Sequence, residues 1–246
     1  MDLHSKFPAI SDLKARAKRR IPHFVWEFLD SGTGDEATLH RNSAALQDVL
    51  LRPSILHGAF VPDLSTMLLG QAFPLPVGIA PVGMSGLIWP GAEQMLARTA
   101  AREALPYTLS TVASQTPEDV APHLGEHAWF QLYPPRDLAV LDDMLERIKA
   151  AGFTTLVLTV DVPVASRRER QTRAGLTNPP KLTPRLAFQA AQCPAWLNGI
   201  RKTGMPRLKF MESYTTNRSK LHLQTAVLMI AHALIAEIQH RFLTQI

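Results

Sequence analysis

The stretch that decides the fold is AWFQLYPPRDLAVLDDMLERIKAAGFTTLVLTVD, residues 128–161. It begins with a short apolar run of strand-forming residue types, 128–133, and a second such run follows at 155–161. Between them, 137–152 carries apolar residues at helical spacing and closes on Gly152, a residue type that often ends helices. The sequence therefore predicts a strand–helix–strand unit.

The same pattern occurs upstream. Apolar runs at 75–81 and 106–111 predict two earlier strands, and helices are predicted after them at 91–104 and 116–124, the second with Thr116 as its N-cap. Continuously apolar strands that alternate with helices predict a parallel sheet covered on both faces. A doubly wound sheet and a (β/α)8 barrel both satisfy this pattern. The sequence contains neither a Rossmann Gly-x-Gly-x-x-Gly turn nor a Walker phosphate loop.

Polar or small residues collect at the carboxyl end of each predicted strand. Such ends meet on one face of a parallel barrel, where barrel enzymes place their active sites. The pattern therefore favours a shared site, although polar residues at a barrel rim also have a purely structural reading. The residues at the four ends are Pro81 to Met84, Ser110 and Thr111, Gln131 and Tyr133, and Thr159 and Asp161.

Composition limits the function classes. The 246 residues are 46% hydrophobic and 19% charged, which is ordinary for a globular protein. The one cysteine, Cys193, excludes an intrachain disulfide and a cysteine-rich zinc site. We expect a cytoplasmic protein, since we find neither a secretory signal nor a long apolar span. The net charge of +5 comes without zinc-finger, helix-turn-helix or RNA-binding signatures, so we expect no nucleic-acid partner.

Four regions are predicted along the chain. Residues 1–72 should form helices and then short strands at the bottom of a barrel. Residues 73–173 hold the four strand–helix units, and 174–216 form a proline-rich, partly amphipathic insertion in the loop after the fourth strand. Residues 217–246 read as one helix with no strand after it, and we expect them to be a tail that does not belong to the family described below.

Five motifs carry a resemblance to a known family: FLDSGTGDEATLHRN (28–42), PVGIAPVGM (76–84), TLSTVAS (108–114), WFQLY (129–133) and LTVDVP (158–163). In order and spacing they resemble the FMN-dependent α-hydroxy acid dehydrogenases and oxidases, which include L-lactate dehydrogenase, glycolate oxidase and mandelate dehydrogenase. The resemblance implies a (β/α)8 TIM barrel, truncated here to about the first four units. It also implies FMN as the cofactor and the oxidation of a small, lactate-like L-2-hydroxy acid to the 2-oxo acid.

The resemblance assigns the cofactor-binding residues position by position. The backbone at the first strand end would lie against the flavin ring, and a glycine permits such close approach. Side chains from the next three strand ends would hydrogen-bond the polar edge of the ring. The expected FMN-binding residues are Pro81, Val82, Gly83, Ser110, Gln131 and Thr159.

The resemblance also assigns substrate-binding and catalytic residues. The Tyr133 phenol would contact the substrate and take part in catalysis, and the Arg168 guanidinium would bind the substrate carboxylate. Asp161 would orient the catalytic histidine and stabilise its protonated form. Phe28 occupies a substrate-pocket position where the family usually has tyrosine, so one hydroxyl is missing. Arg167 and Arg170, on either side of Arg168, are interpreted as surface charge.

Several elements of the family are absent from this sequence. The catalytic histidine lies in a Ser-Asn-His-Gly-Gly-Arg motif, and none of the nine histidines here has that context. The fifth-strand lysine and the glycine-rich loop that holds the FMN phosphate also have no match. We therefore expect this chain to be inactive alone, with a frameshift or premature end after about residue 216. The alternative is a non-catalytic half-barrel that binds a partner chain; in either case we expect poor solubility or dimerisation.

A membrane surface is a further candidate partner. Residues 184–202 place Phe188, Trp196 and Leu197 near basic residues, a composition that suits either a lipid interface or a helical lid on the barrel. If these residues form a lipid interface, the protein would lie at the inner face of the cytoplasmic membrane. For the full-length family, the resemblance implies a homo-oligomer.

Overall fold

A computed structural model describes residues 2–56, 58–135, 137–160, 167–176 and 183–214. Asp161 and the predicted helix at 217–246 lie outside these ranges. The strands are β1 Thr66–Leu68, β2 Gln71–Phe73, β3 Tyr107–Ser110, β4 Ala128–Leu132 and β5 Thr155–Leu158. The helices are α1 Leu3–Lys6, α2 Ile10–Arg20, α3 His23–Asp30, α4 Ala37–Gln47, α5 Ser85–Ile88, α6 Ala92–Arg102, α7 Pro117–Val120, α8 Leu138–Ala150, α9 Glu169–Arg173, α10 Pro184–Ala191, α11 Pro194–Thr203 and α12 Lys209–Glu212, with a 3-10 turn at Ala121–His123.

The predicted repeats form one parallel sheet in the order β3-β4-β5. Tyr107 also makes a parallel bridge to Ile79, which places the first predicted strand beside β3. Each strand therefore lies next to the one that follows it in sequence. This order is typical of a barrel, whereas doubly wound sheets reverse direction at an interior first strand. The first strand is shorter than predicted, because only Ile79 pairs within 75–81.

Helix α8 shows why the repeats fold as predicted. The Asp137 carboxylate caps it by accepting a hydrogen bond from the Ala139 backbone N–H at 2.9 Å, and Gly152 follows it with a φ of 91°. Its buried face packs into the core below the sheet, and each such side chain contributes roughly 1.5–3 kcal/mol as an upper estimate. The residues of that face are Leu141, Met144, Leu145 and Ile148.

Helix α7 begins as its sequence predicts. The Thr116 hydroxyl accepts a hydrogen bond from the Asp119 N–H at 3.1 Å, and the Asp119 carboxylate accepts one from the Thr116 N–H at 3.4 Å. Pro117 occupies the first turn, where its missing N–H costs nothing. The predicted N-cap is confirmed, and it sets the path of the chain between β3 and β4.

The end of the predicted insertion belongs to the main core. Phe210 of α12 is 1% exposed and meets the Phe130 ring of β4 edge-on, with 5.7 Å between the centroids. The Arg147 guanidinium of α8 lies 4.7 Å from the centre of the Phe210 ring and binds the Glu118 carboxylate through two nitrogens. Through these contacts α12 packs against strand β4 and helix α8.

A second apolar cluster joins α3 and α5 to α10 and α11. Trp196 is 3% exposed and donates its indole N–H to the Leu87 carbonyl at 2.9 Å. The expectation that Trp196 could lie at a lipid interface is therefore wrong, because its ring fills this cluster. Phe188 and Leu197 remain 66% and 43% exposed. Within the part of the chain that the structure describes, no helix is both long and apolar enough to cross a membrane.

The β1–β2 hairpin lies at the amino-terminal ends of the sheet strands. Phe73 is 2% exposed and packs against the rings of His127 and Trp129, where β4 begins. Between helix α4 and this hairpin the chain presents many apolar side chains to solvent. The most exposed of them are Leu50 at 87%, Leu51 at 91%, Leu56 at 96% and Val61 at 93%.

Candidate functional site

Three side chains form a hydrogen-bonded row across the carboxyl ends of adjacent strands. The Ser110 hydroxyl donates to Gln131 Oε1 at 2.9 Å, and Gln131 Nε2 donates to the Thr159 hydroxyl oxygen at 2.8 Å. The parallel register pairs Ser110 with Gln131, which places successive strand ends at one height. The row is buried at Ser110 and Gln131 and partly exposed at Thr159.

Within the part of the chain that the structure describes, the row retains hydrogen-bond donors. Gln131 donates one of its two amide N–H groups to the Thr159 oxygen, while its second amide N–H and the Thr159 O–H make no hydrogen bond to another described residue. The Ser110 oxygen accepts from the Val112 N–H at 3.3 Å. Neutral N–H and O–H donors suit an uncharged ring edge that carries nitrogen and oxygen acceptors, as an isoalloxazine does.

A close backbone turn borders this row. The Met84 N–H donates to the Val112 carbonyl at 2.8 Å, so the loop after the first strand lies against the loop after β3. A Cβ on Gly83 would lie 2.9 Å from Val112 Cγ2, closer than real contacts allow. Pro81 and Val82 are exposed at the same turn. The Cβ direction of Gly83 is therefore filled by Val112, and the glycine allows the two loops to pack closely. The open side of the turn lies at the exposed residues Pro81 and Val82, where a flat group such as the FMN ring would have room.

Thr111 holds the Tyr133 backbone in place. Its hydroxyl donates to the Gln131 carbonyl at 2.6 Å and accepts from the Tyr133 N–H at 3.0 Å. The sequence marks Thr111 only as part of a polar strand end, so this role was missed. Tyr133 itself is half-buried and packs, with Met84, against Val112 and its neighbours.

Arg168 and Phe28 lie together in a second group. Arg168 is exposed at the start of α9, and its Nη1 donates to the Phe28 backbone carbonyl at 3.5 Å. Phe28 packs against the second apolar cluster, which Met84 also contacts. Because Met84 packs against the Tyr133 cluster as well, it connects the two groups. The remaining predicted catalytic residue, Asp161, is outside the described ranges.

Arg170 is not simple surface charge, and that interpretation is wrong. Its guanidinium binds three carboxylates, at 2.6 Å from Glu27, 3.1 Å from Asp30 and 3.0 Å from Glu36. These ion pairs raise the pKa of Arg170 further above its ordinary value. They join α9, which begins beside Arg168, to helix α3 and the loop after it. Arg167, by contrast, is 88% exposed and pairs with Glu169 at 3.4 Å.

Two of the carboxylates around Arg170, those of Asp30 and Glu36, have lowered pKa values. Burial alone would raise the pKa of Asp30, but hydrogen bonds from Lys14 and Arg170 outweigh it and lower that pKa. The Gly32 backbone N–H, with help from Arg170, lowers the pKa of Glu36. Asp30 and Glu36 are therefore charged at neutral pH.

These features can be compared with known proteins. Residues 17–235 match the family model of FMN-dependent dehydrogenases. The chain belongs to that family. An L-lactate dehydrogenase of Vibrio parahaemolyticus is 37% identical over 214 residues, which cover 87% of this chain and 56% of the relative. One of Xanthobacter autotrophicus is 38% identical over 212 residues, covering 86% and 54%.

Solved structures show the same fold. The monotopic membrane protein (S)-mandelate dehydrogenase superposes with a TM-score of 0.78 at 28% identity, covering 93% of this chain and 58% of that one. Mandelate oxidase gives a TM-score of 0.65 at 33% identity, covering 73% and 51%. The barrel reading is confirmed: the described residues form part of an FMN-dependent dehydrogenase barrel and do not close it.

The comparisons also bear on cofactor and length. FMN is the cofactor of the family, as expected from the motifs. The chain spans about half the length of the curated relatives it matches. The family match runs past residue 217, where the non-family tail was expected to begin, and that boundary remains a prediction.

Proposed function

We propose that this chain forms the flavin-facing portion of an enzyme that oxidises a small, lactate-like L-2-hydroxy acid. The observation that carries the proposal is the Ser110–Gln131–Thr159 row beside the glycine turn at 81–83. It joins neutral donors from three strand ends to a surface open to a flat ring. The family match and the L-lactate dehydrogenase relatives support the same reaction class.

Each element of the site has a separate task toward FMN. The turn at 81–83 would support the face of the ring, while Gln131 and Thr159 would donate to its polar edge. Bound FMN supplies the two-electron oxidant that this reaction needs. Thr111 fixes the position of the Tyr133 backbone beside the row, because its hydroxyl bonds both the Gln131 carbonyl and the Tyr133 N–H.

The substrate would be held by groups of complementary charge and polarity. The Arg168 guanidinium would pair with the carboxylate, and the Tyr133 phenol would donate to the carboxylate or to the reacting hydroxyl. Phe28 leaves the pocket wall apolar where a family tyrosine would add a donor. Asp161 would stabilise a protonated histidine supplied from outside this sequence, since no histidine here has the Ser-Asn-His-Gly-Gly-Arg context.

Flavin titration of the purified chain tests the cofactor assignment. FMN fluorescence should quench on addition of the wild-type chain, and Gln131→Leu should weaken the binding about 10-fold because two ring-edge contacts are lost with the row. The matched control is Gln192→Leu, at an exposed position beside α10. Equal FMN affinity for wild type and Gln131→Leu would show that the row does not bind the ring.

Substrate addition tests the chemistry separately. L-Lactate should leave the bound flavin oxidised in this chain, because the catalytic histidine motif is missing from the sequence. Flavin bleaching by L-lactate in the isolated chain would contradict that expectation and would require a different base.

A second candidate function is a half-barrel that binds a partner chain. Leu51, Leu56 and Val61 are each more than nine-tenths exposed, which is unusual for so many neighbouring apolar residues. Size-exclusion chromatography with light scattering checks this reading. A monodisperse monomer with a cooperative melt, in the absence of any partner, would argue against it.

The exposed residues of α10 and α11 favour a membrane surface as a partner. Phe188 on α10 and Leu197 on α11 are exposed, and Arg201 and Lys202 lie in the last turn of α11. One structural relative is a monotopic membrane protein. Vesicles that contain anionic phospholipid should therefore co-sediment the chain, and Phe188→Ser should reduce the bound fraction. Binding that is equal with neutral and anionic vesicles would exclude the electrostatic contribution.

A further inference from the structure

Glu93 is a fully buried acid on helix α6, with none of its surface exposed. Its Oε1 accepts three hydrogen bonds, from the Ser114 hydroxyl at 2.6 Å, the Ser114 N–H at 2.9 Å and the Gly86 N–H at 3.2 Å. Glu93 lies in the first turn of α6, where the helix dipole favours negative charge. Side chains so deeply buried are seldom acidic unless the acid is paired or hydrogen-bonded, as Glu93 is here.

Gly86 and Ser114, the two hydrogen-bond partners of Glu93, are also in close contact with each other. The Gly86 N–H also donates to the Ser114 hydroxyl oxygen at 2.8 Å, so three residues share one closed set of bonds. A Cβ on Gly86 would lie 2.3 Å from that oxygen and 3.3 Å from Glu93 Oε2. Only glycine fits here without displacing Ser114 or the carboxylate.

Glu93 therefore connects two loops that are far apart in sequence. Gly86 is the second residue of α5, directly after the loop that leaves the first strand and contains 81–83. Ser114 lies in the loop that joins β3 to α7. The Met84 N–H to Val112 carbonyl bond joins the same two loops nearer the proposed ring surface. The carboxylate lies behind both loops and touches neither the Ser110–Gln131–Thr159 row nor the turn at 81–83.

The second carboxylate oxygen argues against a purely stabilising role. Glu93 Oε2 is buried and has no hydrogen-bond partner among the described residues. An unpaired buried oxygen costs roughly 1–3 kcal/mol, so an apolar side chain would be a simpler way to fill this space. An apolar residue could not accept the three hydrogen bonds from Gly86 and Ser114, so it could not join the two loops in this way.

We propose that Glu93 is a positioning residue that sets the spacing of the two loops beneath the flavin ring. This inference rests on the proposed FMN site, but the loop spacing itself is a property of the chain without flavin. The carboxylate acts through Gly86 and Ser114. Its removal should loosen both loops together and widen the surface that the ring would contact.

Amide hydrogen exchange on the flavin-free chain tests the loop spacing. Glu93→Ala should raise exchange about 10-fold in peptides covering both 81–87 and 110–115, since the shared acceptor is lost. Glu93→Gln keeps an oxygen for the three donors and should stay near wild type. Glu103→Ala, at an exposed acid just after α6, is the matched control. Ser114→Ala removes the hydroxyl that donates to Glu93 and accepts from the Gly86 N–H, but it keeps the two backbone N–H bonds to Glu93, so it should show a smaller rise in the same peptides.

FMN titration of the same variants tests the consequence for the site. Glu93→Ala should weaken FMN binding about 10-fold, with recovery in Glu93→Gln and no change in Glu103→Ala. Unchanged exchange in both loops of Glu93→Ala and Ser114→Ala would overturn the inference, whatever the flavin does. Loosened loops with unchanged FMN affinity would also overturn it. Loosened loops in a chain whose wild type binds no FMN would refute the proposed function and uphold the loop positioning.

Discussion

Replacement of Arg170 by methionine should destabilise the protein much more than the same change at Arg167. Methionine keeps the length and apolar stem of the side chain and removes the charge. Arg170 has a side chain that is 29% exposed and binds Glu27, Asp30 and Glu36, whose side chains are 11%, 22% and 14% exposed. The change leaves these three acids close together without their common partner.

The size of the effect follows from this partial burial. Breaking a buried ion pair by removal of one partner costs about 3–5 kcal/mol, while exposed pairs contribute about 0–1 kcal/mol. A guanidinium that is mostly but not fully buried should lie between them, at about 2–3 kcal/mol. Arg167→Met should change the free energy of unfolding by less than about 0.5 kcal/mol, because its side chain is 88% exposed.

Urea denaturation followed by tryptophan fluorescence measures the free energy of unfolding, and its pH dependence checks the cause. The folded-state pKa values of Asp30 and Glu36 are lowered, so these acids stabilise the fold above their ordinary pKa and lose that contribution as pH falls through the lowered one. The stability gap between wild type and Arg170→Met should therefore narrow below about pH 4. Equal losses for Arg167→Met and Arg170→Met at pH 7, or a gap independent of pH, would refute the reasoning.

Three further predictions concern packing. Gly83→Ala should cost about 1–3 kcal/mol through its collision with Val112, and Gly83→Ala combined with Val112→Ala should recover part of that loss in the same urea assay. Trp196→Phe should cost about 1–2 kcal/mol, because it leaves a buried backbone carbonyl without its donor; a change below about 0.3 kcal/mol would contradict the hydrogen bond's importance. Leu51→Glu with Val61→Glu should reduce concentration-dependent association in light scattering without lowering the melting temperature, since both side chains are more than nine-tenths exposed.

The repeating part of the fold could be predicted from the sequence because its signals are local. The apolar face of α8 and the capping box at Thr116 lie within single helices and need no distant partner. The strands β3, β4 and β5 were predicted from short apolar runs. The periodicity alone left their neighbour order open, because that order depends on how separate units pack. The family resemblance predicted the order of a barrel, and the structure confirms it.

The sequence predicted the site residues at the strand ends, but it did not predict the residues that hold those strand ends and loops in place. Ser110, Gln131 and Thr159 were chosen by family motif, and the structure joins them through their side chains. Thr111 lies in a family motif, but its role was missed, and Glu93 lies in none of the motifs; the partners of both come from other strands and loops. Nothing local in the sequence distinguishes their hydroxyl and carboxyl groups from ordinary surface polarity.

The arginines and tryptophan show the same limit. Arg167 and Arg170 are alike by sequence, yet only Arg170 meets acids from α3, more than a hundred positions earlier in the chain. Trp196 reads as a lipid-facing residue until the Leu87 carbonyl is placed beside it.

The sequence by itself determined the strand–helix repeats, the family and the polar residues at the strand ends, because spacing, caps and motifs act over a few residues. Only the tertiary structure decided the burial of Trp196, the ion pairs of Arg170 and the carboxylate that joins the two loops. Those outcomes depend on which distant segments meet. Burial and charge pairing arise when those segments pack together, so the residue types alone do not determine them.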